Sequence, residues 1–403
     1  MAIRTIRLCV GLLLIGTVVA VFGAIAMSPR KYQWDFSTYY YSALAHSRGQ
    51  SPYDAEVATG TPDVPVHIKF VYPPHILPLF AWTVGVPYEQ ASIAWLIVKG
   101  MFLVALLLVW RKILIREEPG VGFFAFAAVA FNAAILIDLT AGNVAVIEQA
   151  LLWGGFLAFT KKEWLLFALL AGASSFFKVT NGLCLLLLFI APGRARVFPM
   201  AAGALAVAAP LAFSYLSWPS LFDAFLTNAR GLVEPGERGA TNPCLWACIA
   251  DVRDVLSSMT GHEIPRAAAD LVFAAHGVAI VTATGVLLKK LARTGWEDRY
   301  LFAVCCVCLA FPLVVPRFKD YSFIQLIPPS FLLLRRAGSG NIVPALIAFV
   351  VCAPNATAFR LLAPLTTYHL LFVDYGLWIL MVVFLKAKIA EWRGTPPEIG
   401  LPA

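Results

Sequence analysis

The sequence predicts an all-α protein that crosses a membrane many times. Of its 403 residues, 60% are hydrophobic and 13% are charged, whereas soluble domains are typically about a quarter charged. Apolar runs of about 20 residues, the length that crosses a bilayer as a helix, recur along the chain. These runs also lack the short alternating pattern of a membrane β-barrel.

The apolar runs predict about twelve spans, because each spanning helix satisfies its own backbone groups. A short helix is expected at 75–86, and 163–192 is expected to form a hairpin of incomplete helices. Residues 1–394 are predicted to form one membrane domain, and the tail 395–403 to be disordered. The expected spans are 8–27, 90–110, 121–138, 143–159, 163–178, 182–192, 197–216, 268–288, 299–315, 321–334, 341–358 and 368–387.

Basic residues predict the orientation of these spans. Connections rich in Lys and Arg alternate with connections that hold few, and the positive-inside rule places the basic ones in the cytoplasm. Both termini are then cytoplasmic, and the long connections near 28–75 and 217–265 lie outside. The net charge of +8 is scattered over short loops and does not indicate nucleic-acid binding. Segment 8–27 is either a retained first span or a signal peptide.

The stretch after the first apolar segment carries the strongest candidate for acid–base chemistry. Asp35 lies between Trp34 and Phe36 at the start of the first long connection. Burial among aromatic side chains would raise the pKa of its carboxyl group and make it a better proton acceptor. A helix N-cap or an interfacial carboxylate is the structural alternative. The same connection supplies Tyr39 and Tyr72 as candidate pocket residues.

A short polar turn between two apolar helices carries Asp138 and Asn143. Asn143 is a candidate pocket residue. Glu148 follows about one and a half turns into the next helix, where a carboxylate must face protein or water. Glu148 is therefore either a pocket residue or a buried structural group. Lys99 lies in the middle of the second span, where a charged group needs a partner. Glu148 and Asp138 are the candidates for that partner.

Two further places carry cations where the positive-inside rule predicts few. Lys178 follows an apolar helix at its outer end and is either a snorkelling lysine or an anion-binding one. Arg317 and Lys319 lie in a tight loop beside aromatic residues, which suits a phosphate held at the membrane surface. Contact with lipid headgroups is the alternative. The same loop supplies Asp320 and Tyr321 as candidate pocket residues.

Cysteine and histidine usage predicts no metal site, because the sequence contains no convincing ligand cluster. Most cysteines lie in apolar helices and are expected to be small core residues. Cys244 and Cys248, in the second long connection, either form a disulfide in an oxidising compartment or stay free. Their four-residue spacing does not guarantee disulfide geometry.

Taken in order, these groups resemble the GT-C glycosyltransferases and, within them, glycosyltransferase family 87. That family includes polyprenyl-phosphate-mannose-dependent α-1,2-mannosyltransferases and related arabinofuranosyltransferases. The late loop departs from the family pattern, since many relatives carry a Trp and a His there, and Val179 stands where Pro is frequent. The matching elements are Asp35-Phe36 with Tyr39–Tyr41, Ser51-Pro52-Tyr53-Asp54, Phe70-Val71-Tyr72-Pro73-Pro74, Gly142-Asn143, Lys178 and Lys319-Asp320-Tyr321.

The resemblance implies a GT-C fold and an inverting sugar transfer at the extracytoplasmic face of the plasma membrane. The implied donor is a polyprenyl-phosphate sugar carrying mannose, another hexose or arabinofuranose, and the acceptor is a lipid or an envelope glycan. By analogy, Asp35 takes the proton of the acceptor hydroxyl. Lys178, Arg317 and Lys319 are the best candidates to stabilise the leaving phosphate. The resemblance also implies no cofactor, no metal and a retained first span.

The residues themselves also allow other interpretations. A retaining reaction would need a second carboxylate, for which Asp54, Asp138 and Asp320 are candidates. A transporter or a flippase for lipid-linked sugars would place polar groups on broken helices near the bilayer midplane, which the break in 163–192 allows. A non-catalytic assembly protein would tolerate Asp35→Asn.

Overall fold

A computed structural model describes residues 2–54, 70–114, 121–231, 238–336, 342–352 and 367–394. Within these ranges the chain is helical and contains no strand. Six helices are long and apolar enough to cross a membrane, and five apolar helices are shorter, with 10–17 residues. The protein is thus an all-helical membrane protein, as predicted. The count of twelve spans, the GT-C arrangement and the sidedness stay predictions, and the tail 395–403 lies outside the described residues.

The described α-helices are numbered in chain order. Short 3-10 helices cover Pro74–Thr83, Val179–Ile190, Gly193–Arg196 and Asp320–Leu326. The α-helices are α1 (Ala2–Met27), α2 (Trp34–Ser47), α3 (Tyr88–Leu114), α4 (Val121–Ala141), α5 (Ala145–Thr160), α6 (Trp164–Ser175), α7 (Val197–Ser217), α8 (Pro219–Gly231), α9 (Leu245–Thr260), α10 (Arg266–Ala292), α11 (Arg299–Ala310), α12 (Ile327–Arg336), α13 (Ile342–Cys352) and α14 (His369–Gly394).

Two predictions about short helices are confirmed. The helix expected at 75–86 is the 3-10 helix Pro74–Thr83. The region 163–192 consists of α6 and the 3-10 helix Val179–Ile190, which pack against each other. The chain between them is tied down by polar contacts, because Asn181 Nδ2 donates to Ser174 Oγ at 2.8 Å and Ser174 Oγ donates to the Glu148 carbonyl at 3.0 Å.

The long connections contain helices that the sequence interpretation did not specify. The first holds α2, and the second holds α8 and α9. In α2, Phe36, Tyr39 and Ala43 are buried at helical spacing, a pattern that the polar residues between them conceal. Asp35 lies in the first turn of α2, where a carboxylate is favoured by the helix dipole.

Aromatic packing fixes α2 against its neighbours. The Phe36 ring stacks on Trp95 of α3 with centroids 5.7 Å apart, and Tyr39 stacks on Phe80 at 4.7 Å. Phe80 in turn meets Trp95 edge to face at 5.3 Å. Such ring pairs contribute about 0.5–1.5 kcal/mol each beyond their buried area. The first turn of α2, with Asp35, is thereby held beside the end of α4.

The turn after α4 fits tightly against the residue that precedes α2. Gln33 Nε2 donates to the Leu139 carbonyl at 2.8 Å, and Gln33 N donates to the Thr140 carbonyl at 2.6 Å. Gly142 has φ +75°, and a Cβ there would lie 2.7 Å from Gln33 Oε1 and 2.9 Å from Phe36 Cβ. Glycine is required at this position both by the backbone angle and by the close approach.

Gly142→Ala is therefore expected to lower the free energy of unfolding by about 2–4 kcal/mol, from left-handed backbone strain and overpacking together. Gly49→Ala is the matched control, since Gly49 has φ +73° but open space around it. Gly49→Ala should lower the free energy of unfolding only by the cost of the left-handed backbone angle, since no neighbour would be overpacked. The melting temperatures of both variants in detergent measure the difference, and equal losses would contradict the close packing of α2 on the turn.

Candidate active site

A cavity of about 600 Å³ collects nine of the ten residues that the sequence predicts for the site. It is bounded by α2, the start of the Pro74–Thr83 segment, the end of α4, the break after α6, and the loop before Asp320–Leu326. Glu148 is the exception, since it lies behind the wall rather than in it. The nine lining residues are Asp35, Tyr39, Tyr72, Asn143, Lys178, Arg317, Lys319, Asp320 and Tyr321.

Asp35 presents a nearly buried carboxylate to this cavity, with a relative exposure of 8%. Its Oδ2 accepts a hydrogen bond of 2.7 Å from Asn143 Nδ2. Its Oδ1 has no hydrogen-bond partner among the described residues. Burial raises the pKa of Asp35, as predicted, while the Asn143 hydrogen bond and the positive charge of Lys319 act in the opposite direction. One oxygen of a basic carboxylate is thus available to a ligand.

The amide of Asn143 organises the groups around Asp35. Ala145 N donates to Asn143 Oδ1 at 3.0 Å, which fixes the orientation of the amide and directs Nδ2 to the carboxylate. Nδ2 also lies 3.1 Å from the Tyr39 hydroxyl and 3.2 Å from the Tyr72 hydroxyl. The two hydroxyls share a hydrogen bond of 2.9 Å. Burial raises the pKa of both tyrosines, so they stay neutral hydroxyl groups at physiological pH.

Lys99 holds the turn that carries Asn143. Its Nζ lies 2.8 Å from Asp138 Oδ2, and both side chains are fully buried. The same Nζ donates to the carbonyls of Asp138 at 2.5 Å and Asn143 at 2.6 Å. The ammonium group therefore bridges the first and last residues of the turn. This confirms the predicted partner for Lys99 and identifies it as Asp138, not Glu148.

Three cations also line the cavity: Lys178, Arg317 and Lys319. Lys178 Nζ donates to Ser322 Oγ at 2.9 Å and lies 3.5 Å from Glu148 Oε1. Its side chain is 28% exposed, whereas that of Glu148 is 3% exposed. Glu148 is therefore the buried counter-ion of a lysine that faces the cavity. Arg317 and Lys319 complete the basic wall.

The second long connection supports the loop that carries Arg317 and Lys319. Asn242 Oδ1 accepts from Phe318 N at 3.0 Å, and the Thr241 carbonyl accepts from Asp320 N at 3.2 Å. Cys244 Sγ donates to the Pro316 carbonyl at 3.1 Å. The thiols of Cys244 and Cys248 are free, which answers the question that their spacing left open.

Asp320 is a second carboxyl group in the cavity. Burial raises its pKa to about 6, against the opposing effects of the Tyr321 backbone hydrogen bond and the Lys319 charge. Asp54, in contrast, is exposed and does not line the cavity. Asp138 is buried in the Lys99 pair. Of the three alternative carboxylates, Asp320 therefore shares the cavity with Asp35.

Several lining residues were not predicted from the sequence. Thr241 comes from the second long connection, and Phe225 comes from α8 within it. Thr38 lies one residue before Tyr39, and Phe177 one residue before Lys178. None of them is ionisable, so no charge in an apolar stretch marks them in the sequence. Helical spacing from Asp35 would have found Thr38, since residues three apart share a helix face.

The fold and the cavity together define a class: a helical membrane protein with a polar site that joins a carboxylate to a group of cations. The sequence profile of glycosyltransferase family 87 matches residues 70–316. The match covers more than half of the chain, which therefore belongs to glycosyltransferase family 87 and is an enzyme that transfers glycosyl groups. Tyr72, Asn143 and Lys178 lie inside the matched range, and Asp35 lies outside it. None of the curated proteins compared with the chain matches it.

The buried Lys99–Asp138 pair generates a stability prediction. Lys99→Met should lower the free energy of unfolding by about 3–5 kcal/mol, because it leaves a buried carboxylate without its counter-ion. Removing both charges, as Lys99→Met with Asp138→Leu, should restore part of that loss. The exposed pair Arg30–Glu89, with side chains 57% and 46% exposed, is the control, and Arg30→Met should cost less than about 1 kcal/mol. Comparable losses in unfolding titrations would contradict a structural role for Lys99.

Proposed function

We propose that this enzyme transfers a sugar from a polyprenyl-phosphate donor to a hydroxyl group of a lipid or envelope-glycan acceptor, with inversion at the anomeric carbon. One observation carries the proposal: a single cavity is lined by Asp35, with one carboxylate oxygen available, and by Lys178, Arg317 and Lys319. A base and a phosphate-binding wall are the two requirements of such a reaction.

In the proposed reaction, Asp35 Oδ1 accepts the proton of the acceptor hydroxyl as its oxygen attacks the anomeric carbon. The bond from that carbon to the phosphate oxygen breaks, and its electron pair leaves with the polyprenyl phosphate. Positive charge develops on the sugar ring in the transition state. The cationic wall stabilises the negative charge that develops on the leaving phosphate.

The tyrosines and Lys99 have supporting roles in this proposal. Tyr39 and Tyr72 are neutral hydroxyl groups beside the base, and they suit the hydroxyl groups of a sugar. Lys99 does not line the cavity and acts as a positioning residue through the turn that ends at Asn143. No metal or cofactor takes part in the proposed reaction.

The proposed location is the plasma membrane, with both termini in the cytoplasm and the cavity open to the extracytoplasmic side. This sidedness rests on the distribution of Lys and Arg among the connections. The proposed sugar is mannose, another hexose or arabinofuranose. Extracts from a deletion strain, incubated with purified enzyme and each polyprenyl-phosphate sugar in turn, would identify sugar and acceptor by mass spectrometry.

A retaining reaction is the alternative that Asp320 favours, because it places a second carboxyl group in the same cavity. In that case a carboxylate attacks the anomeric carbon first, and the product keeps the donor configuration. The anomeric configuration of the isolated product, measured by NMR, distinguishes the two. A product with the configuration of the donor would exclude the inverting proposal.

Asp35→Asn should abolish transfer while leaving folding intact, since the amide is isosteric and cannot accept the proton. General-base groups contribute about 10²–10⁴-fold to rate, so the loss in kcat should reach that range. Asp54→Asn is the matched control, because Asp54 is an exposed carboxylate of the same connection. Transfer is measured with purified donor and acceptor at saturating concentrations. An Asp35→Asn enzyme with wild-type kcat would eliminate Asp35 as the base.

The pH dependence of kcat tests which groups set the pKa of Asp35. The base acts in its ionised form, so kcat should fall as the pH drops through the raised pKa of Asp35. The Asn143 hydrogen bond opposes that rise, so Asn143→Ala should raise the pKa of Asp35 further and move the acid limb of the kcat profile to higher pH. Thr38→Val is the control, because Thr38 lines the cavity but donates to the Trp34 carbonyl. If the acid limb of the kcat profile were unchanged in Asn143→Ala, the assignment of that limb to Asp35 would be contradicted.

A further inference from the structure

Helix α9 exposes a row of apolar side chains, while its residues Asp251 and Asp254, each 42% exposed, pair with the buried Arg238. Val252, Val255, Leu256 and Met259 are 52%, 58%, 45% and 77% exposed. Their spacing of three and four residues places them on one face of the helix. A soluble protein would bury such a face.

Helix α9 is held in place by charged and aromatic contacts. Arg238, whose side chain is 6% exposed, lies 3.2 Å from Asp251 and 2.6 Å from Asp254. Trp246 is buried, and its Nε1 donates to Asp270 of α10 at 2.8 Å. Because these contacts hold the helix in place, the exposed apolar face is a fixed feature of the helix.

The neighbouring helix α10 also exposes apolar side chains. Helix α10 is long and apolar enough to span a membrane, and it packs against α9. It exposes Leu271, Val272 and Val278, at 70%, 55% and 66%. Charged residues in the middle of α9 disfavour insertion across the bilayer. An amphipathic helix of this kind lies in the membrane interface, with its apolar side in the acyl region.

We propose that the face of α9 formed by Val252, Val255, Leu256 and Met259 docks onto the lipid bilayer as an interfacial anchor. The occupant of this face is lipid acyl chain at the depth of the headgroup boundary. The proposal requires only the membrane setting of the fold and does not depend on the sugar, the donor or the reaction stereochemistry.

The anchor is connected to the cationic wall of the cavity. Cys244 caps the N-terminus of α9, accepting from Ala247 N, and its thiol donates to the Pro316 carbonyl. Asn242 and Thr241, just before it, bind the backbone of Phe318 and Asp320. Docking of α9 therefore fixes the position of Arg317 and Lys319 along the bilayer normal.

Depth-dependent quenching tests the anchor. A fluorescent noncanonical amino acid is placed at Val255, and separately at Val252, in full-length enzyme in phosphatidylcholine nanodiscs. The lipids carry bromine near the glycerol end of the acyl chains. Val272, exposed near the start of the span, is the positive control, and Glu263, exposed in the turn after α9, is the negative control. Both α9 sites should be quenched as strongly as Val272, and Glu263 should not be quenched.

Three results would overturn the proposal. Quenching of the α9 sites by aqueous iodide, with none by brominated lipid, would place the face in water. Protection from both quenchers at one protein per nanodisc would mean that another segment of the chain covers it. Protection that appears only with two proteins per disc would identify a second copy as the occupant. Melting temperatures of the labelled proteins in detergent verify that each one is folded.

Discussion

The ion pair between Lys99 and Asp138 is the interaction on which the candidate site depends. A fully buried ammonium group needs several acceptors, because desolvation costs several kcal/mol for each ion. Lys99 pairs with the Asp138 carboxylate and donates hydrogen bonds to two carbonyls, and all of these groups belong to Asp138 and Asn143. The cation can therefore be buried only if the turn closes, and closing the turn places Asn143 beside Asp35. Burial of one lysine therefore helps to position Asn143 against Asp35, the proposed base, which lies more than 60 residues from Lys99 in sequence.

Two opposing effects set the properties of Asp35. Burial among aromatic rings raises its pKa, whereas the Asn143 amide and the nearby cations lower it. A base that is too weakly basic takes a proton poorly, and one that is too basic is protonated before the substrate arrives. The same amide also contacts the hydroxyls of Tyr39 and Tyr72. Asn143 therefore affects both the pKa of Asp35 and the arrangement of the two tyrosine hydroxyls beside it.

The sequence predicted the helical class, the residues Asp35, Lys178, Arg317 and Lys319 that line the cavity, and a partner for Lys99, because each depends on composition, on charge or on the cost of burying an ion. Helices in the long connections were missed, since aromatic and polar residues obscure their periodicity in α2. Glu148 was expected either in the pocket or as a buried structural group, and only tertiary packing decides between them. Uncharged lining residues such as Thr241 gave no signal, because nothing in a local pattern shows which loop will reach a distant cavity.

The two sides of the cavity are built in different ways. Asp35 lies on a helix packed by stacked rings, whereas Arg317 and Lys319 lie in a loop that is held by hydrogen bonds from residues 241–244. A proton transfer tolerates little displacement, since its donor and acceptor must approach within about 3 Å. Coulombic stabilisation of a phosphate falls only as the inverse of distance and tolerates more. In the proposed reaction, the more closely packed support therefore surrounds the group for which distance matters most, and the loop carries the charges that act over a longer range.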